Sequence, residues 1–495
     1  MIFFQAIKII LRCLLLVFVT LLALPYRFFV FTLAKIFRPE LELSTGLTRH
    51  CSSTESDGSV TPVNIVVVLT VDGRLNVDEF RDLFYTRVLQ KRDRQGNLMF
   101  GKFYKTITHF LGYPCWTREK NFDLANHIVE FDYHLEGINC FDENRLTTFL
   151  TKLMNERWVG GKSYWNITLV PDYNEEVTTL IILKWQHALA DGFSMRSVLE
   201  ALSVHETLPM PWDRKNDSRN VKSLKNNIQL ATQMLKNFWK TLRSILLFPY
   251  HLASFKAKAA SHEVNLWVTD VNARRDEYEI SFTKSFPADA IKAAQAKFGV
   301  GFQTVLFTAV SAALERALKK YNLPTVNMLL ADYSKPVLPH PKGLTNSFYV
   351  GHILVPWKVN STEDRLRKTE PSFQKHRLST ISTVFFYILE MSAILPGKLS
   401  WMITYPLFQF VHMVFTSFPY MGEVSLNNVR VSDTVSFFAT PFHSADFTAV
   451  VTGSLNQIRF GLTLRKNIFS CPPGFIHVIC AYIEEELEQL CVSLK

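Results

Sequence analysis

The sequence contains little of what marks several common protein classes. Its seven cysteines are scattered and include no C-x-x-C pair, so the sequence indicates neither a disulfide framework nor a zinc site. Its 19 glycines and 21 prolines are ordinary numbers for 495 residues, which excludes collagen-like and low-complexity chains. Charged residues make up only 20% of the chain and hydrophobic residues 48%, which excludes an intrinsically disordered protein.

Long uncharged apolar runs are also few, and having only two of them excludes a polytopic channel or transporter. In the first run, residues 13–34, Arg27 is the only charge, and a helix of this length would span about 33 Å, enough for a bilayer core. Residues 13–24 would also suit the apolar part of a signal peptide, but no small-residue cleavage site is obvious. We expect residues 1–37 to be a retained membrane anchor, either spanning or half-inserted.

The second uncharged run covers residues 399–418. Its central Pro406 and the polar Gln409 and His412 disfavour a regular spanning helix. We therefore expect a re-entrant segment or a face that lies on the membrane, with a spanning helix as the alternative.

Positive charge is concentrated in one segment. The formal net charge is +10, and residues 214–258 hold ten Lys or Arg against one acid, Asp217. Apolar residues within it recur at alternating steps of four and three and predict one stripe of a helix: Leu224, Ile228, Ala231, Leu235, Phe238, Leu242 and Ile245. Such a helix suits an anionic membrane surface, and packing on its own domain is the alternative. Nucleic acid is not expected as a partner, because no basic-aromatic recognition module accompanies the patch.

The hydrophobic pattern predicts an α/β protein. At about 150 residues per domain, the length predicts two or three domains. Strands are predicted at 64–71, 178–185, 278–282, 326–330, 349–355, 448–453 and 457–464, and helices at 77–89, 140–157, 193–202, 287–298, 303–321 and 474–490. Residues 41–62 are rich in Ser and Thr and predict a linker. Together these elements predict two α/β halves around the basic connector.

The pattern with the clearest chemistry directly follows the predicted buried strand 178–185. His187 and Asp191 stand four residues apart, with Gly192 next. A neutral imidazole at a strand end can accept a proton from a hydroxyl or thiol. Asp191 is expected to pair with an arginine and fix the loop, and Gly192 to allow a sharp turn. A histidine with only a structural role is the alternative, and no neighbouring cluster has metal-ligand spacing.

This motif and several other segments of the sequence match the motifs of one protein family in the same order. The segment Gln186-His187-Ala188-Leu189-Ala190-Asp191-Gly192 resembles the H-H-x-x-x-D-G motif of the wax ester synthase/diacylglycerol acyltransferase family, within the CoA-dependent acyltransferase superfamily. Further landmarks follow in the family's order: Pro114-Cys115-Trp116, Phe122-Asp123-Leu124, His127, Lys162 to Trp165, Asn346, Leu354-Val355-Pro356, Asn427-Asn428-Val429, Thr452 to Asn456, and Phe460-Gly461-Leu462. The resemblance extends over about residues 63–490, and the shared order is its most specific feature.

The resemblance implies an α/β fold of two chloramphenicol-acetyltransferase-like domains with a central tunnel, preceded by the N-terminal hydrophobic helix. It divides the chain into an anchor (1–37), an N-terminal acyltransferase domain with the motif (63–206), a basic amphipathic connector (207–275) and a C-terminal acyltransferase-like domain (276–495). His187 would be the general base and Asp191 a structural residue of the motif.

Other positions matching the family's motifs are implied to bind substrate or shape the site: Gln186, Gly192, Gln303 and Asn346. The chain departs from the family at two of them. Gln186 replaces the first histidine, and Gln303-Thr304 replaces an Asn-Asp pair. The first change spares the base but can alter acceptor preference, whereas the second puts substrate orientation in doubt.

The implied function is that of an O-acyltransferase that moves a fatty acyl group from acyl-CoA to a fatty alcohol or diacylglycerol. The product would be wax ester or triacylglycerol, with acyl-CoA as co-substrate, membrane lipid as a partner, and no cofactor or metal. Because acyl-CoA is a cytosolic donor, we expect cytosolic catalytic domains at the endoplasmic reticulum or plasma membrane. The alternatives are an inactive lipid-binding or lipid-transfer protein on the same scaffold, and a transferase with a small soluble acceptor.

Overall fold

The computed structural model describes residues 2–44, 46–52, 63–203, 225–260, 277–377, 380–400, 402, 411–418, 424–426, 429–440, 445–454, 456–466 and 471–492. Several predictions fall wholly or partly on residues outside these ranges, among them Leu224 of the helical stripe, Pro406 and Gln409 of the second apolar run, and the landmarks Asn427 and Asn428.

The first sheet has six strands and is built mainly from the N-terminal half. Its order is β13-β14-β2-β7-β6-β5. The strands are β2 (Asn64–Asp72), β5 (Ile128–Glu130), β6 (Trp165–Pro171), β7 (Thr178–Gln186), β13 (Ser425–Leu426) and β14 (Val429–Phe438). Among the described strands of this sheet, only β5 and β6 pair in parallel. Almost every residue of β7 is buried, as its unbroken apolar run predicts.

Helices cover both faces of this sheet. They are α3 (Val77–Phe84), which continues as a π-helical turn Tyr85–Leu89, α4 (Glu143–Asn155) and α5 (Gly192–Leu202). Each begins at a side-chain cap, in which Asn76, Asp142 and Asp191 accept backbone N–H bonds from the first turn. The apolar stripe of α4, including Leu150 and Leu153, packs on one face, and α3 and α5 pack on the other.

The second sheet belongs to the C-terminal half. Its main order is β11-β10-β12-β15-β16-β8, and β9 pairs with β16. The strands are β8 (Tyr278–Phe282), β9 (Phe286–Pro287), β10 (Met328–Pro336), β11 (Phe348–Pro356), β12 (Met413–Ser417), β15 (Phe447–Ser454) and β16 (Gln457–Arg465). The core beside it includes α7 (Ala288–Phe298), α8 (Phe302–Lys320), α9 (Thr362–Arg377) and α11 (Phe475–Val492).

One strand joins the two halves. β14 follows β12 in the chain but pairs antiparallel with β2 of the first sheet, from Arg430 opposite Asp72 to Phe438 opposite Ile65. It also lies close to β16, where a Cβ on Gly461 would come within 2.0 Å of the Ser436 carbonyl oxygen, so only glycine fits there. The division into segments 1–37, 63–206, 207–275 and 276–495 stays a prediction.

The linker prediction for residues 41–62 is wrong over its first part. β1 (Glu42–Leu43) pairs with β4 (Tyr113–Arg118), which also pairs with β3 (Lys105–Phe110), and α2 (Gly46–Ser52) follows β1. The reason is packing: the side chains of α2 lie in the protein interior, and His50 and Cys51 are buried. Their polar atoms bond to neighbouring elements, which Ser/Thr content alone does not indicate.

The membrane interpretation of residues 399–418 is wrong for the part that the structure describes. β12 lies between β10 and β15 in parallel pairing, and Met413 and Phe415 are fully buried in the C-terminal core. His412 accepts a hydrogen bond from the Leu330 N–H at 2.9 Å. The run lacks charge because it includes a central strand of a covered sheet.

Two long helices, α1 (Ile2–Phe37) and α6 (Lys225–Ala260), pack on each other and on α10 (Thr380–Ser392). Within the described ranges, α1 is long and apolar enough to cross a membrane. The bent pair α7 and α8 passes the same test when taken together, but its apolar side chains are in the C-terminal core. The predicted helix over the basic segment is confirmed as α6.

Candidate functional site

A mostly apolar cavity lies between the two sheets. Strands and helices of both halves contribute to its wall, and α2 and α10 close one side. The lining residues used below are Cys51, His187, Asp191, Gly192, Phe348, Leu389, Phe418 and Phe438. Its lining is predominantly hydrophobic side chains with a few polar groups, as in most sites that bind organic ligands, so it is suited to apolar groups.

His187 lies at the end of β7 and is buried in the cavity wall. Its Nδ1 is 2.8 Å from Oδ1 of Asn346, which precedes β11. The amide of Asn346 is oriented by its own Nδ2, which donates to the His187 carbonyl at 2.8 Å. Because the amide oxygen can only accept, Nδ1 of His187 carries the proton. The other ring nitrogen, Nε2, is then the one that can take up a proton.

The environment also keeps His187 neutral. Burial lowers its pKa, outweighing the hydrogen bonds from its own backbone and Asn346 and the charge of Asp191, which raise it. The rings of Phe348 and Phe438 lie 5.6 and 5.3 Å from the imidazole, measured between centroids. A neutral, oriented imidazole in an apolar wall has the properties of a general base.

Cys51 on α2 also reaches this histidine. Its sulfur is 3.7 Å from Nδ1 of His187. Burial, with the charge of Asp191, raises the pKa of the Cys51 thiol to about 12, so the thiol stays protonated. It therefore acts as an apolar wall of the site and not as a nucleophile.

Asp191 fixes the motif to the C-terminal half. Its Oδ1 accepts from the Ser194 N–H at 2.9 Å as the N-cap of α5, and its Oδ2 accepts from the Ser347 N–H at 2.8 Å. The same Oδ2 lies 2.9 Å from Nε2 of His340. The expected arginine partner is therefore wrong, since the carboxylate pairs with a histidine. Burial opposes the charge on His340, but Asp191 outweighs it and raises the pKa of His340.

Gly192 is required for a different reason from the one expected. It is the first residue of α5, and a Cβ there would come within 2.0 Å of the Phe418 ring. Phe418 follows β12 and lines the cavity. Glycine is thus needed for close packing between the motif and the C-terminal sheet, not for an unusual turn.

The other two predicted site residues lie away from the cavity wall. Gln186 is fully buried, and its Nε2 donates to the Cys51 carbonyl at 3.2 Å, which ties α2 to β7. Gln303 lies in the first turn of α8, where the neighbouring Thr304 donates to Glu370 of α9. The structure thus brings together His187, Asp191, Gly192 and Asn346, and leaves Gln303 apart from them.

Sequence reasoning missed several residues of the site. Cys51 lies in the segment taken as a linker, and His340 lies in the loop between β10 and β11. Neither belongs to a motif, and only the pairing of distant strands brings them to His187 and Asp191. A lone histidine between prolines (Pro339 and Pro341) gave no signal for His340. Among the described residues, no group of three His, Cys, Asp or Glu could hold a metal ion.

Comparisons with known proteins match part of the sequence to a family model and the fold to solved structures. The family model of the WS/DGAT C-terminal domain matches residues 344–491. The wax ester synthase/diacylglycerol acyltransferase of Marinobacter aquaeolei VT8 is 15% identical, with a TM-score of 0.57 over 91% of this chain and 100% of that chain. No curated protein matches.

Two further solved structures share the fold at low identity. The first condensation domain of the calcium-dependent antibiotic synthetase is 11% identical, with a TM-score of 0.58 over 91% of this chain and 96% of that one. The trichothecene 15-O-acetyltransferase of Fusarium sporotrichioides is 9% identical, with a TM-score of 0.57 over 91% and 94%. The predicted fold class is confirmed by these structures, and the resemblance to the wax ester synthase/diacylglycerol acyltransferase (WS/DGAT) family is confirmed for residues 344–491, which match the model of its C-terminal domain.

Proposed function

We propose that the protein is a membrane-associated O-acyltransferase that moves a fatty acyl group from acyl-CoA to a fatty alcohol or diacylglycerol, giving wax ester or triacylglycerol. The observation that carries the proposal is the hydrogen bond between His187 Nδ1 and Asn346 Oδ1. It leaves Nε2 of a neutral, buried imidazole free to act as the base in a cavity with mostly apolar walls.

In the proposed reaction, Nε2 of His187 takes the hydroxyl proton of the alcohol as its oxygen attacks the thioester carbonyl. A carbon–oxygen bond forms, and the carbon–sulfur bond of the tetrahedral intermediate then breaks. The CoA thiolate leaves and takes the proton back from the imidazolium, so the base is regenerated. No electrons are gained or lost overall, and the chemistry requires no redox cofactor.

The proposed division of labour crosses the two halves of the chain. Segment 63–206 supplies the base, and segment 276–495 supplies Asn346, which positions it. The Asp191–His340 and Asp191–Ser347 contacts hold the two segments in register around the base. Residues 1–37 and the connector 207–275 would contact the lipid phase, in which long-chain alcohols and diacylglycerol dissolve.

Because acyl-CoA is a cytosolic donor, we place the catalytic halves on the cytosolic side of the endoplasmic reticulum or the plasma membrane. The basic residues of the connector favour an anionic surface. Gln186 would support the site indirectly, by tying α2 to β7.

An acceptor panel tests the proposal. The full-length protein is incubated with labelled palmitoyl-CoA and either hexadecanol, dioleoylglycerol or a short soluble alcohol, with His187→Ala as the matched control. We expect labelled wax ester or triacylglycerol from the wild type and almost none from the variant. Binding of palmitoyl-CoA without product from any acceptor would instead support a lipid-binding or lipid-transfer protein.

A further inference from the structure

Helix α1 contacts the protein body along most of its length. Its buried stripe begins at Ile9 and includes Leu16, Thr20, Val30 and Ala34. In an α-helix the distance from Ile9 to Ala34 is about 38 Å. The first part of the stripe packs on α6 and α10, and Val30 packs against β4.

Polar contacts hold the middle of α1 to the same body. Arg27, the one charge within the apolar run, turns inward: its Nη1 donates to the Ala393 carbonyl at 2.8 Å, and its guanidinium lies 5.3 Å from the Tyr113 ring centroid. Tyr26 donates to the Leu111 carbonyl at 3.2 Å. These bonds fix α1 against the turn between β3 and β4 and the end of α10.

A transmembrane α1 is incompatible with this packing. The hydrocarbon core of a bilayer is about 30 Å thick, shorter than the length of α1 that contacts the body. If α1 crossed it, the attached strands β1, β3 and β4 would enter the hydrocarbon. Those strands carry the exposed ion pair of Lys105 with Glu42, at 2.6 Å, which hydrocarbon could not solvate.

The side of α1 that faces away from the body is apolar over its whole length. Its exposed large apolar residues include Phe4 (71%), Leu11 (60%), Leu14, Leu15, Phe18 (59%), Leu22, Phe29 and Phe37. The exposed cations Lys8 and Arg12 precede Leu16 at steps of four, so they flank the packed stripe. Lys35, the remaining exposed cation of α1, directly follows the buried Ala34 and also lies beside the stripe, so the outer face is free of charge, with cations along its border.

Residues 235–246 of α6 continue this surface. Apolar residues of the predicted stripe and their neighbours are exposed there: Leu235, Phe238, Trp239, Ile245 and Leu246. Lys236 and Arg243 are exposed beside them, whereas Phe248 and Leu252, further along the helix, pack on α10. Exposed apolar residues bordered by cations fit the headgroup and acyl boundary of an anionic leaflet.

We propose that α1 lies in the plane of one leaflet, with its outer face and the exposed part of α6 inserted into the headgroup and acyl boundary, and that it does not cross the membrane. We call this surface, formed by the outer face of α1 and residues 235–246 of α6, the membrane face. The binding partner of the membrane face is an anionic phospholipid leaflet, and the binding of the protein to this leaflet does not depend on acyl transfer.

This orientation places the cavity next to the leaflet. Helix α10 packs on α1 and α6 with Val384, Phe385 and Ile388, while its Leu389 lines the cavity. One helix layer, about 10 Å, therefore separates the membrane face from the cavity. A lipid acceptor dissolved in the leaflet has a short distance to travel to His187.

A topology measurement tests the orientation. The full chain carries one epitope at each terminus and is placed in sealed vesicles without acyl-CoA. With α1 in the plane, antibody or protease reaches both epitopes from the same side. An N-terminal epitope that becomes accessible only after the vesicles are opened would overturn the proposal.

Vesicle binding tests the surface itself. On phosphatidylcholine vesicles that contain phosphatidylserine, L11E combined with F18E should weaken binding at least about tenfold, because each substitution puts a charge on the inserted face. The matched control is L135E with V177E, two exposed apolar residues of the N-terminal half (83% and 72%), which should bind like the wild type. K8E with R12E should weaken binding mainly at low salt.

The same variants would also show whether the membrane face binds another protein chain in place of lipid. If the face instead contacted a second copy of the chain, lipid-free wild type would sediment as a dimer, L11E with F18E would be monomeric, and vesicle binding would not change. That outcome would overturn the proposal. None of these measurements uses turnover, so the acyltransferase proposal can fail without affecting this one.

Discussion

One histidine, His187, belongs to the motif 186–192, and a second, His340, contacts the motif at Asp191. Their hydrogen-bond partners differ, and their pKa values are shifted in opposite directions. His187 is oriented by the amide of Asn346 and has a lowered pKa, because it is buried and its partner carries no charge. His340 bonds to the carboxylate of Asp191, which outweighs burial and raises its pKa. An amide orients an imidazole and leaves it neutral, whereas a carboxylate favours its charged form. The first arrangement suits a base, and the second suits a structural ion pair.

Of the changes that separate the two histidines, removing the base His187 should have the largest effect on turnover. His187→Ala should lower turnover of palmitoyl-CoA with the productive acceptor by about 10²–10⁴-fold, the usual contribution of general-base catalysis. Palmitoyl-CoA binding and the melting temperature should change little. His340→Gln is the matched control, since it removes the other histidine and should keep most of the turnover at neutral pH. Near-normal turnover by His187→Ala would contradict the assignment of the base.

Replacing the neutral partner of His187 with a carboxylate should raise the pKa of His187, as Asp191 raises that of His340. In Asn346→Asp, a carboxylate would face Nδ1 and raise the pKa of His187, so the acidic limb of the rate profile should move to higher pH. In Asn346→Ala, the lost hydrogen bond should lower the rate up to about tenfold, because the ring is no longer held in one orientation. The rate of both variants is measured across pH with saturating substrates. A wild-type profile in Asn346→Asp would contradict a direct contact.

Breaking the ion pair should reduce stability in a pH-dependent way. The pKa of His340 is raised above 6.5 in the folded protein, so its pairing with Asp191 stabilises the fold fully below that pH and is lost as pH rises through the raised pKa. The free energy of unfolding of His340→Gln should therefore fall short of wild type by about 1.5–3 kcal/mol at mildly acidic pH. The difference should shrink in alkaline buffer, as measured by denaturant titration. A constant difference at all pH values would show that packing, not charge, is responsible.

Introducing the first histidine of the H-H-x-x-x-D-G motif at position 186 should have the smallest effect. Gln186 points to the Cys51 carbonyl and not into the cavity, and a histidine could also donate a hydrogen bond there. Gln186→His should therefore change stability by about 1 kcal/mol or less and leave acceptor preference unchanged. The acceptor panel measures both wax ester and triacylglycerol. A changed ratio of the two products would show that this position contacts the acceptor after all.

The sequence predicted most regular elements because they obey local rules. The buried run 178–185 is β7, and the capped pattern after Asn76 is α3, since burial on both faces and side-chain capping leave direct traces in residue order. Hydrophobicity alone could not separate two kinds of apolar environment. Residues 413–417 are apolar because other strands cover them, whereas the outer face of α1 is apolar and exposed.

The sequence by itself determined the α/β class, the two long basic and apolar helices, and His187 and Asp191 at the end of a buried strand. It did so because strand burial, helical periodicity and motif spacing are properties of neighbouring residues. Only the tertiary structure decided the partners: Asn346 for His187, His340 instead of an arginine for Asp191, and Phe418 against Gly192. These contacts join residues more than 140 positions apart, and they form because the two sheets meet through β14 and place distant side chains within hydrogen-bond or van der Waals distance.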